Sequence, residues 1–411
     1  MKRRYKITSF LLALLLALCA FVSCADDGSA EDGTDAEDTT YYEAETNTDG
    51  AAVAKSNLKY GDFTYSLYDD GNITLINYSG TAEKLEIPAE IDGNPVVSIG
   101  EGCFYGNATV KEIVFPESIK HFERYAFYAA LALEKIDVPA SVTSLAMGVF
   151  TGCSVLKEVN ITGEITAIGE GAFYQCAALT EFTVPETVTS VGAYAFSECT
   201  ALKTLVLPDS VTEIPDGLLY ASSAVETVRL GSSVKKIGVT AFYECKALKE
   251  IAIPDTCSSI GEYAFAFCES LEEINIPDRA GVVGGYTFAN CVSLKKANIP
   301  EGLSVVPACM FALCGKLESM EFHSGITDID EKAFSGCTAL TSVVLPEGLD
   351  YIGSYAFSEC TGLTEIVCPA SVTMVDEGIF ALCENVTVKC YKDSLIYDYA
   401  TANSMKVEVI E

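Results

Sequence analysis

Residues 262–277, EYAFAFCESLEEINIP, contain the pattern on which the fold of this chain depends. Phe265 stands after an alanine, and a stretch of alternating polar and apolar residues follows it and ends at Pro277. This alternation predicts a short strand with Ile274 and Ile276 facing inward. Proline cannot donate a ladder hydrogen bond, so Pro277 is predicted to close the strand.

The same pattern recurs along the chain with a fixed period of 23 residues. Thirteen anchor residues, twelve phenylalanines and one leucine, follow this period without insertion or deletion: Phe104, Phe127, Phe150, Phe173, Phe196, Leu219, Phe242, Phe265, Phe288, Phe311, Phe334, Phe357 and Phe380. Such a period indicates an array of one supersecondary unit. One unit buries almost nothing alone, so stacked units must share a continuous core.

Other positions, counted from each anchor, repeat with it. Position 3 is cysteine in ten units: Cys153, Cys176, Cys199, Cys245, Cys268, Cys291, Cys314, Cys337, Cys360 and Cys383. Positions 9, 11, 15 and 18 are mostly apolar, and a glycine that permits a turn often follows, as at Gly261. The segment around the anchor is too brief for a long helix, so it is predicted to form one helical or 3₁₀ turn. The predicted fold is therefore a repeat solenoid of 23-residue units with short parallel strands.

Units such as residues 262–277 resemble the BspA-type, or Treponema-type, leucine-rich repeats of bacterial surface proteins, and the resemblance spans residues from about 60 to 411. Residues 61–80 (GDFTYSLYDDGNITLINYSG) and 87–104 (IPAEIDGNPVVSIGEGCF) resemble the N-terminal cap and first repeat of that family. Residues 388–410 (VKCYKDSLIYDYATANSMKVEVI) resemble its C-terminal cap. The resemblance implies a right-handed leucine-rich repeat solenoid, with strands on the concave face and short turns on the convex face. It also implies adhesion or other protein recognition at the cell surface, although such repeats serve varied tasks.

The two ends of the chain complete the predicted domain organisation. The divisions are a signal peptide (1–23), a lipidated cysteine with an acidic tether (24–57), an N-terminal cap with the first repeat (58–103), the repeat array (104–385) and a C-terminal cap (386–411). The signal peptide has four basic residues before an apolar stretch at 10–22. Residues 21–24, FVSC, resemble the lipobox of bacterial lipoproteins, which implies lipidation of Cys24. The alternative is ordinary secretion with Cys24 unmodified. Either way the chain is predicted to be exported, and lipidation would anchor it to a membrane at the cell surface.

The predicted tether is strongly acidic. Ten carboxylates lie between Asp26 and Asp49, and no basic residue appears before Lys55. Such a segment is predicted to be disordered and self-repelling, and to act as a spacer. A calcium-binding tail is the alternative, but the fixed Asp/Gly loop pattern of calcium sites is missing.

Composition excludes several functions. The chain has 58 acidic and 26 basic residues and a formal net charge of −32, which excludes a general nucleic-acid binder. With two histidines, His121 and His323, and none of the common catalytic motifs, no catalytic site, metal site or cofactor is predicted. We therefore expect a binding protein rather than an enzyme.

The cysteines and tyrosines each allow two interpretations. An exported chain favours disulfides, but stacked cysteines at one repeat position favour a ladder of buried thiols. Zinc is disfavoured because the spacing is not Cys-x-x-Cys. Tyrosines recur one residue after and two residues before the anchor, as at Tyr105 and Tyr263. They form either an exposed aromatic stripe or packing contacts between successive turns.

The predicted binding face consists of the outward residues of the strands, at positions 8 and 10. None of these residues is aromatic, and the face is acidic, polar and flat. It therefore suits a protein partner, favouring a basic one, over a glycan. The residues selected for it are Glu112, Glu158, Glu181, Arg229, Glu250, Glu273, Asn275, Asn298, Glu321 and Glu365. The alternatives are a merely solvated face and a structural envelope protein that associates with itself.

Overall fold

The computed structural model describes residues 46–411. The predicted signal peptide, Cys24 and most of the predicted tether lie outside the described residues.

The described part of the chain begins with six strands that pair partly antiparallel and partly parallel. They are β1 (Val53–Tyr60), β2 (Phe63–Tyr68), β3 (Ile73–Tyr78), β4 (Lys84–Glu86), β5 (Glu90–Ile91) and β6 (Asn94–Ile99). Strands β1, β2 and β3 form a meander, and β3 pairs in parallel with β6. β1 starts at Val53, inside the range predicted as tether (24–57). The tether prediction therefore extends too far, because pairing with β2 satisfies the backbone of these residues.

Residues at positions 8 to 11 of the units form the first parallel ladder. Its strands within the array are β7 (Glu112–Val114), β9 (Lys135–Val138), β11 (Glu158–Ile161), β13 (Glu181–Thr183), β15 (Thr204–Val206), β17 (Thr227–Arg229), β23 (Ser342–Val344) and β25 (Glu365–Val367). Partners in the array are separated by one period, as in Glu181 opposite Thr204. Between β17 and β23 only isolated bridges continue the ladder among the described residues, at Thr227–Glu250 and Glu273–Lys296.

A second parallel ladder, which the sequence analysis did not predict, occupies positions 17 and 18. Its strands have two residues each: β8 (His121–Phe122), β10 (Ser144–Leu145), β12 (Ala167–Ile168), β14 (Ser190–Val191), β16 (Glu213–Ile214), β18 (Lys236–Ile237), β19 (Ser259–Ile260), β20 (Val282–Val283), β21 (Val305–Val306), β22 (Asp328–Ile329), β24 (Tyr351–Ile352) and β26 (Met374–Val375). Its register again follows the period, as in Ser144 opposite Ala167. The apolar residue at position 18 points into the core, which explains its regular recurrence.

The segment around each anchor forms hydrogen-bonded turns, where the sequence predicted a helical or 3₁₀ turn. Along this segment, backbone N–H groups donate alternately to carbonyls of the same unit and to carbonyls of the next unit. The Ala130 N–H donates to the Phe127 carbonyl at 3.0 Å, while the Phe127 N–H donates to the Val149 carbonyl at 3.0 Å. The bonds to the next unit prevent a helix, because they use the N–H groups that a continuous helix would need.

The core runs through the whole array as one hydrophobic column. The anchor rings from Phe104 to Phe357 and the side chain of Leu219 are almost fully buried. Neighbouring rings stack, for example Phe265 on Phe242 at 5.0 Å and on Phe288 at 5.4 Å between centroids. These stacks confirm the predicted 23-residue solenoid with a shared core.

The cysteines of the described residues are buried free thiols, which confirms the interpretation as a thiol ladder. In each of the ten units with cysteine at position 3, the S–H donates to the carbonyl of the preceding anchor. Two examples are Cys176 to Phe150 at 3.3 Å and Cys268 to Phe242 at 3.3 Å. Ser222 keeps this bond, donating to the Phe196 carbonyl at 2.8 Å. Position 3 therefore favours a small side chain with one donor, although Asn107 and Ala130 occupy it in the first two units.

The chain ends in a cap of two strands and a helix. These elements are β27 (Thr387–Tyr391), α1 (Leu395–Ala402) and β28 (Lys406–Ile410). The Ser394 hydroxyl caps the helix by accepting the Tyr397 N–H at 3.2 Å. β28 pairs in parallel with β27 and so extends the sheet of β23 and β25. None of the helices in residues 46–411 is long and apolar enough to cross a bilayer.

Candidate protein-binding face

The ten residues predicted for the binding face share one side of the first ladder. Each stands at position 8 or 10 of its unit, and parallel pairing in register lines up several of them, as in β13, β15 and β17. Most inner residues at position 9 are buried, whereas Glu158, Glu181 and Glu250 are exposed. The outer surface of the first ladder is called the strand face, and its side chains line up across stacked units wherever the strands pair.

Many carboxylates of the strand face are neutralised by lysines of neighbouring units. The ion pairs are Lys84–Glu112 at 3.1 Å, Lys135–Glu158 at 3.2 Å, Lys296–Glu273 at 3.2 Å and Lys389–Glu365 at 2.9 Å. These lysines are not among the residues predicted for the binding face. They could have been found from the period, since Lys135 and Lys296 occupy position 8 next to a glutamate.

These contacts shift the pKa of two residues on the strand face, Glu158 and Lys135. Hydrogen bonds from Asn160 and Lys135 lower the pKa of Glu158, and the bond to Glu158 raises the pKa of Lys135. Both side chains are open to solvent, so such surface pairs add little to stability. Their consequence is electrostatic: this part of the face attracts a cationic partner less than its glutamate count suggests.

Four charged residues of the predicted face remain without an ion pair to any described residue. They are Glu181, Arg229, Glu250 and Glu321, and all four are exposed. Three of the four are carboxylates, so the uncompensated charge of the face is negative. A partner interacts mainly with this charge, because the paired carboxylates are already neutralised by lysines.

The two asparagines of the predicted face differ. Asn275 is exposed, as expected for a residue available to a partner. Asn298 instead replaces part of the ladder: its side chain accepts the Ile276 N–H at 2.7 Å and donates to the Ile276 carbonyl at 2.8 Å. It is half-buried, so its role in this structure is to join two units.

Besides the weakly paired stretch between β17 and β23, the strand face is interrupted at two steps between neighbouring strands of the first ladder. β7 and β9 belong to different sheets, as do β11 and β13. A cavity of about 590 Å³ opens beside the first break and one of about 320 Å³ beside the second. The face is therefore not flat as predicted but carries two recesses.

Aromatic rings at inner strand positions coincide with these breaks. Phe182 occupies position 9, where the neighbouring units carry Val159 and Leu205, and its ring lies 5.0 Å from those of Phe173 and Phe196. Phe115 similarly contacts Phe122 at 4.9 Å next to the first break. A larger inner side chain therefore lies beside each break in the first ladder.

Each of the two histidines lies close to an oxygen atom of another residue. Nε2 of His323 lies 3.1 Å from the Pro300 carbonyl oxygen. Nε2 of His121 lies 3.3 Å from Oδ1 of Asp49. No group of three or more His, Cys, Asp or Glu residues within 46–411 is arranged to hold a metal ion.

The tyrosines pack between successive turns, which confirms the second interpretation. The rings of Tyr105 and Tyr128 stack at 5.4 Å, and those of Tyr263 and Tyr286 stack at 4.5 Å. Because these ring faces cover each other, they are not open platforms for a sugar.

Comparison with known families gives a match that covers most of the chain. The family model of the BspA type leucine rich repeat region, in six copies, matches residues 77–189, 166–291 and 258–387. A search of curated proteins finds no match.

Solved structures of bacterial repeat proteins share the fold. A leucine-rich repeat protein from Bacteroides ovatus is 28% identical with a TM-score of 0.73, over 86% of this chain and 100% of that one. A leucine rich cell surface protein from Faecalibacterium prausnitzii is 24% identical with a TM-score of 0.52, over 86% and 98%. The pneumococcal vaccine antigen PcpA is 16% identical with a TM-score of 0.54, over 87% and 99%. The last two likenesses concern the fold alone.

Proposed function

The chain belongs to the BspA-type leucine-rich repeat family, and we propose that it is a surface protein whose strand face binds a protein partner, in adhesion to host or neighbouring cells. The main support is the row of exposed, unpaired carboxylates Glu181, Glu250 and Glu321 on a rigid array. The inner positions of the same strands are buried, so the outer ones are free to vary without loss of the fold. The partner is a protein with a basic surface, because uncompensated charge steers and selects the opposite sign.

The family assignment fits this role without assigning a reaction. A repeat array offers an extended surface built from many similar units, which suits recognition over a large area. The strand face lacks aromatic residues at its outer positions, which disfavours glycan stacking. Association of the array with copies of itself is the competing function, and the first experiment below distinguishes the two.

The first prediction concerns the unpaired carboxylates. Reversing them together, Glu181→Lys, Glu250→Lys and Glu321→Lys, should abolish capture of partner proteins from the native surroundings, because the face then repels a basic partner. The matched control is Glu213→Lys, Glu301→Lys and Glu347→Lys, which makes the same change in net charge at exposed positions off the strand face. Mass spectrometry of captured proteins measures the effect.

Two results would count against the proposed function. Equal capture by the wild-type, reversed and control proteins would remove the strand face as the binding surface. Capture of nothing except copies of the same chain would favour the self-associating envelope protein.

We also propose that Cys24 carries the lipid that holds the protein at the membrane surface. The support is the sequence FVSC at residues 21–24, after a basic and then apolar leader. Two acyl chains hold a protein stably, whereas one is marginal. The second prediction is that Cys24→Ala moves the protein from the membrane fraction to the soluble fraction of the envelope or medium. Immunoblots of fractionated cells test it, and unchanged membrane association of the variant would reject lipidation.

A further inference from the structure

The second break in the first ladder leaves two strand edges facing each other. β11 ends the sheet that it forms with β9, and β13 ends the sheet of β13, β15 and β17. The second ladder stays paired at this step, with Ala167 opposite Ser190. The two units therefore separate on the strand face while they remain joined on the other ladder.

The opening exposes part of the core. Val159 and Ile161 occupy inner positions 9 and 11 but are only partly buried, whereas Ile136 and Val138 of the preceding unit are fully buried. The cavity of about 320 Å³ between them and Phe182 is as large as the smaller ligand pockets of proteins, which start at about 300 Å³. An apolar side chain inserted there would regain the burial that Val159 and Ile161 lack.

The rim of the cavity is polar and carries one uncompensated charge. Glu158 is paired with Lys135 at 3.2 Å and Lys157 with Glu134 at 3.1 Å. Glu181 lines the same cavity, is exposed and has no ion pair within residues 46–411. A cationic side chain next to the inserted apolar one would therefore find a free carboxylate.

We propose that this break, called the β11–β13 cleft, binds an extended peptide segment of the partner that carries a lysine or arginine beside an apolar residue. Unpaired strand edges are templates for another strand, and main-chain hydrogen bonds supply the affinity in such strand addition. Alternate side chains of the segment point into the cavity and out toward Glu181, since strand side chains alternate. This inference rests on the proposed function, because the cleft lies within the strand face.

The test uses three synthetic peptides and the intact protein. The probe is the acetylated and amidated peptide Lys-Val-Lys-Val-Lys, and its counterparts are Glu-Val-Glu-Val-Glu and the lysine peptide with alternate backbone nitrogens methylated. Titration calorimetry should show binding of the lysine peptide and at least about tenfold weaker binding of the other two, equivalent to about 1.4 kcal/mol. Methylation removes N–H donors without changing charge, so it isolates the main-chain hydrogen bonds.

Two protein variants locate the binding. Phe182→Leu and Glu181→Lys each change a side chain that lines the cleft, and each should weaken lysine-peptide binding about tenfold, a loss of about 1.4 kcal/mol. Glu213→Lys, at an exposed position off the strand face, should leave it within about twofold, or about 0.4 kcal/mol. Circular dichroism and melting confirm that each variant is folded. If Phe182→Leu does not fold, the methylated peptide still decides the question.

Several outcomes would overturn the proposal. Absence of binding by the lysine peptide would do so, as would equal binding of the methylated peptide, which would indicate charge attraction alone. Binding that survives in folded Phe182→Leu protein would place the peptide elsewhere. The proposed function is tested separately: if the triple reversal leaves partner capture intact, the strand face does not bind the partner, even where the cleft binds the lysine peptide.

Discussion

At the scale of single residues, the backbone carries a strain that recurs in every unit. The residues two before and two after each of the thirteen anchors have positive φ, for example Tyr263 at 55° and Phe267 at 61° around Phe265. Eight of these 26 positions are glycine. The others are residues for which the left-handed region costs about 1–2 kcal/mol. The array tolerates this cost because the bonds between units hold the turns in place.

The third prediction follows from the exposed leucine at one of these positions. Leu382 has φ of 62° and is 66% exposed, so it bears the backbone cost with little burial in return. Leu382→Asn should raise the free energy of unfolding by about 0.5–1 kcal/mol, because asparagine enters the left-handed region more easily. Asn290 already occupies the equivalent position.

A matched substitution separates backbone from surface effects. Leu131 is 50% exposed and lacks a positive φ, so Leu131→Asn should give no gain. Urea denaturation of both variants measures the difference. An equal change in both proteins would show that the leucine side chain, and not its backbone, sets the effect.

At the scale of one unit, the buried anchor joins each coil to its neighbours. Phe265 touches the rings of the units before and after it. Leu219 fills the same place between Phe196 and Phe242 and is fully buried. A branched aliphatic side chain is therefore sufficient for stacking, although it loses the aromatic contacts.

The fourth prediction uses this natural exception. Phe265→Ala should reduce the free energy of unfolding by about 3–5 kcal/mol, because it leaves a ring-sized cavity. Phe265→Leu should cost only about 1–2 kcal/mol, as it keeps most of the buried volume. Thermal melting of the two variants against wild type measures the difference. Equal melting temperatures for all three proteins would mean that the anchor column does not stabilise the array.

At the scale of the whole molecule, the thiols act together because they lie in one buried column. Burial raises the pKa of Cys199 and of Cys291 to about 12, and that of Cys268 in the same direction. An unfolded cysteine has a pKa of about 8.5, so the unfolded chain loses its thiol protons first as the pH rises. The folded state is then favoured fully below about pH 8.5 and progressively less between there and about pH 12.

The fifth prediction is a steep loss of stability in alkali. Each buried thiol should contribute up to about 1.4 kcal/mol of destabilisation per pH unit in this window, and the column sums these contributions. Tyrosines and lysines also lose protons in this pH range. The decisive comparison is therefore between the wild type and the double variant Cys268→Ser and Cys291→Ser. Serine does not ionise, and Ser222 shows that it fits the position. Urea unfolding from pH 8 to 10.5 should have a shallower pH slope in the double variant.

The stacking of units also decides which charges of the candidate face are available to a partner. Glu158 and Glu181 are equivalent in the repeat, but only Glu158 has a lysine partner. Sequence position alone selected both for the binding face. Which of them is available to a partner depends on the neighbouring unit, because the lysine that pairs with Glu158 lies on the preceding coil.

The sequence by itself determined the 23-residue period, the buried anchors and the thiol ladder. These features are local and repeated, so every unit shows the same pattern of inward and outward residues. Only the tertiary structure decided the second ladder, the left-handed turns and the ladder breaks. Two-residue strands such as β12 carry too little alternation to be recognised alone. The fit of Phe182 against two neighbouring rings depends on the space between units, which no single unit specifies.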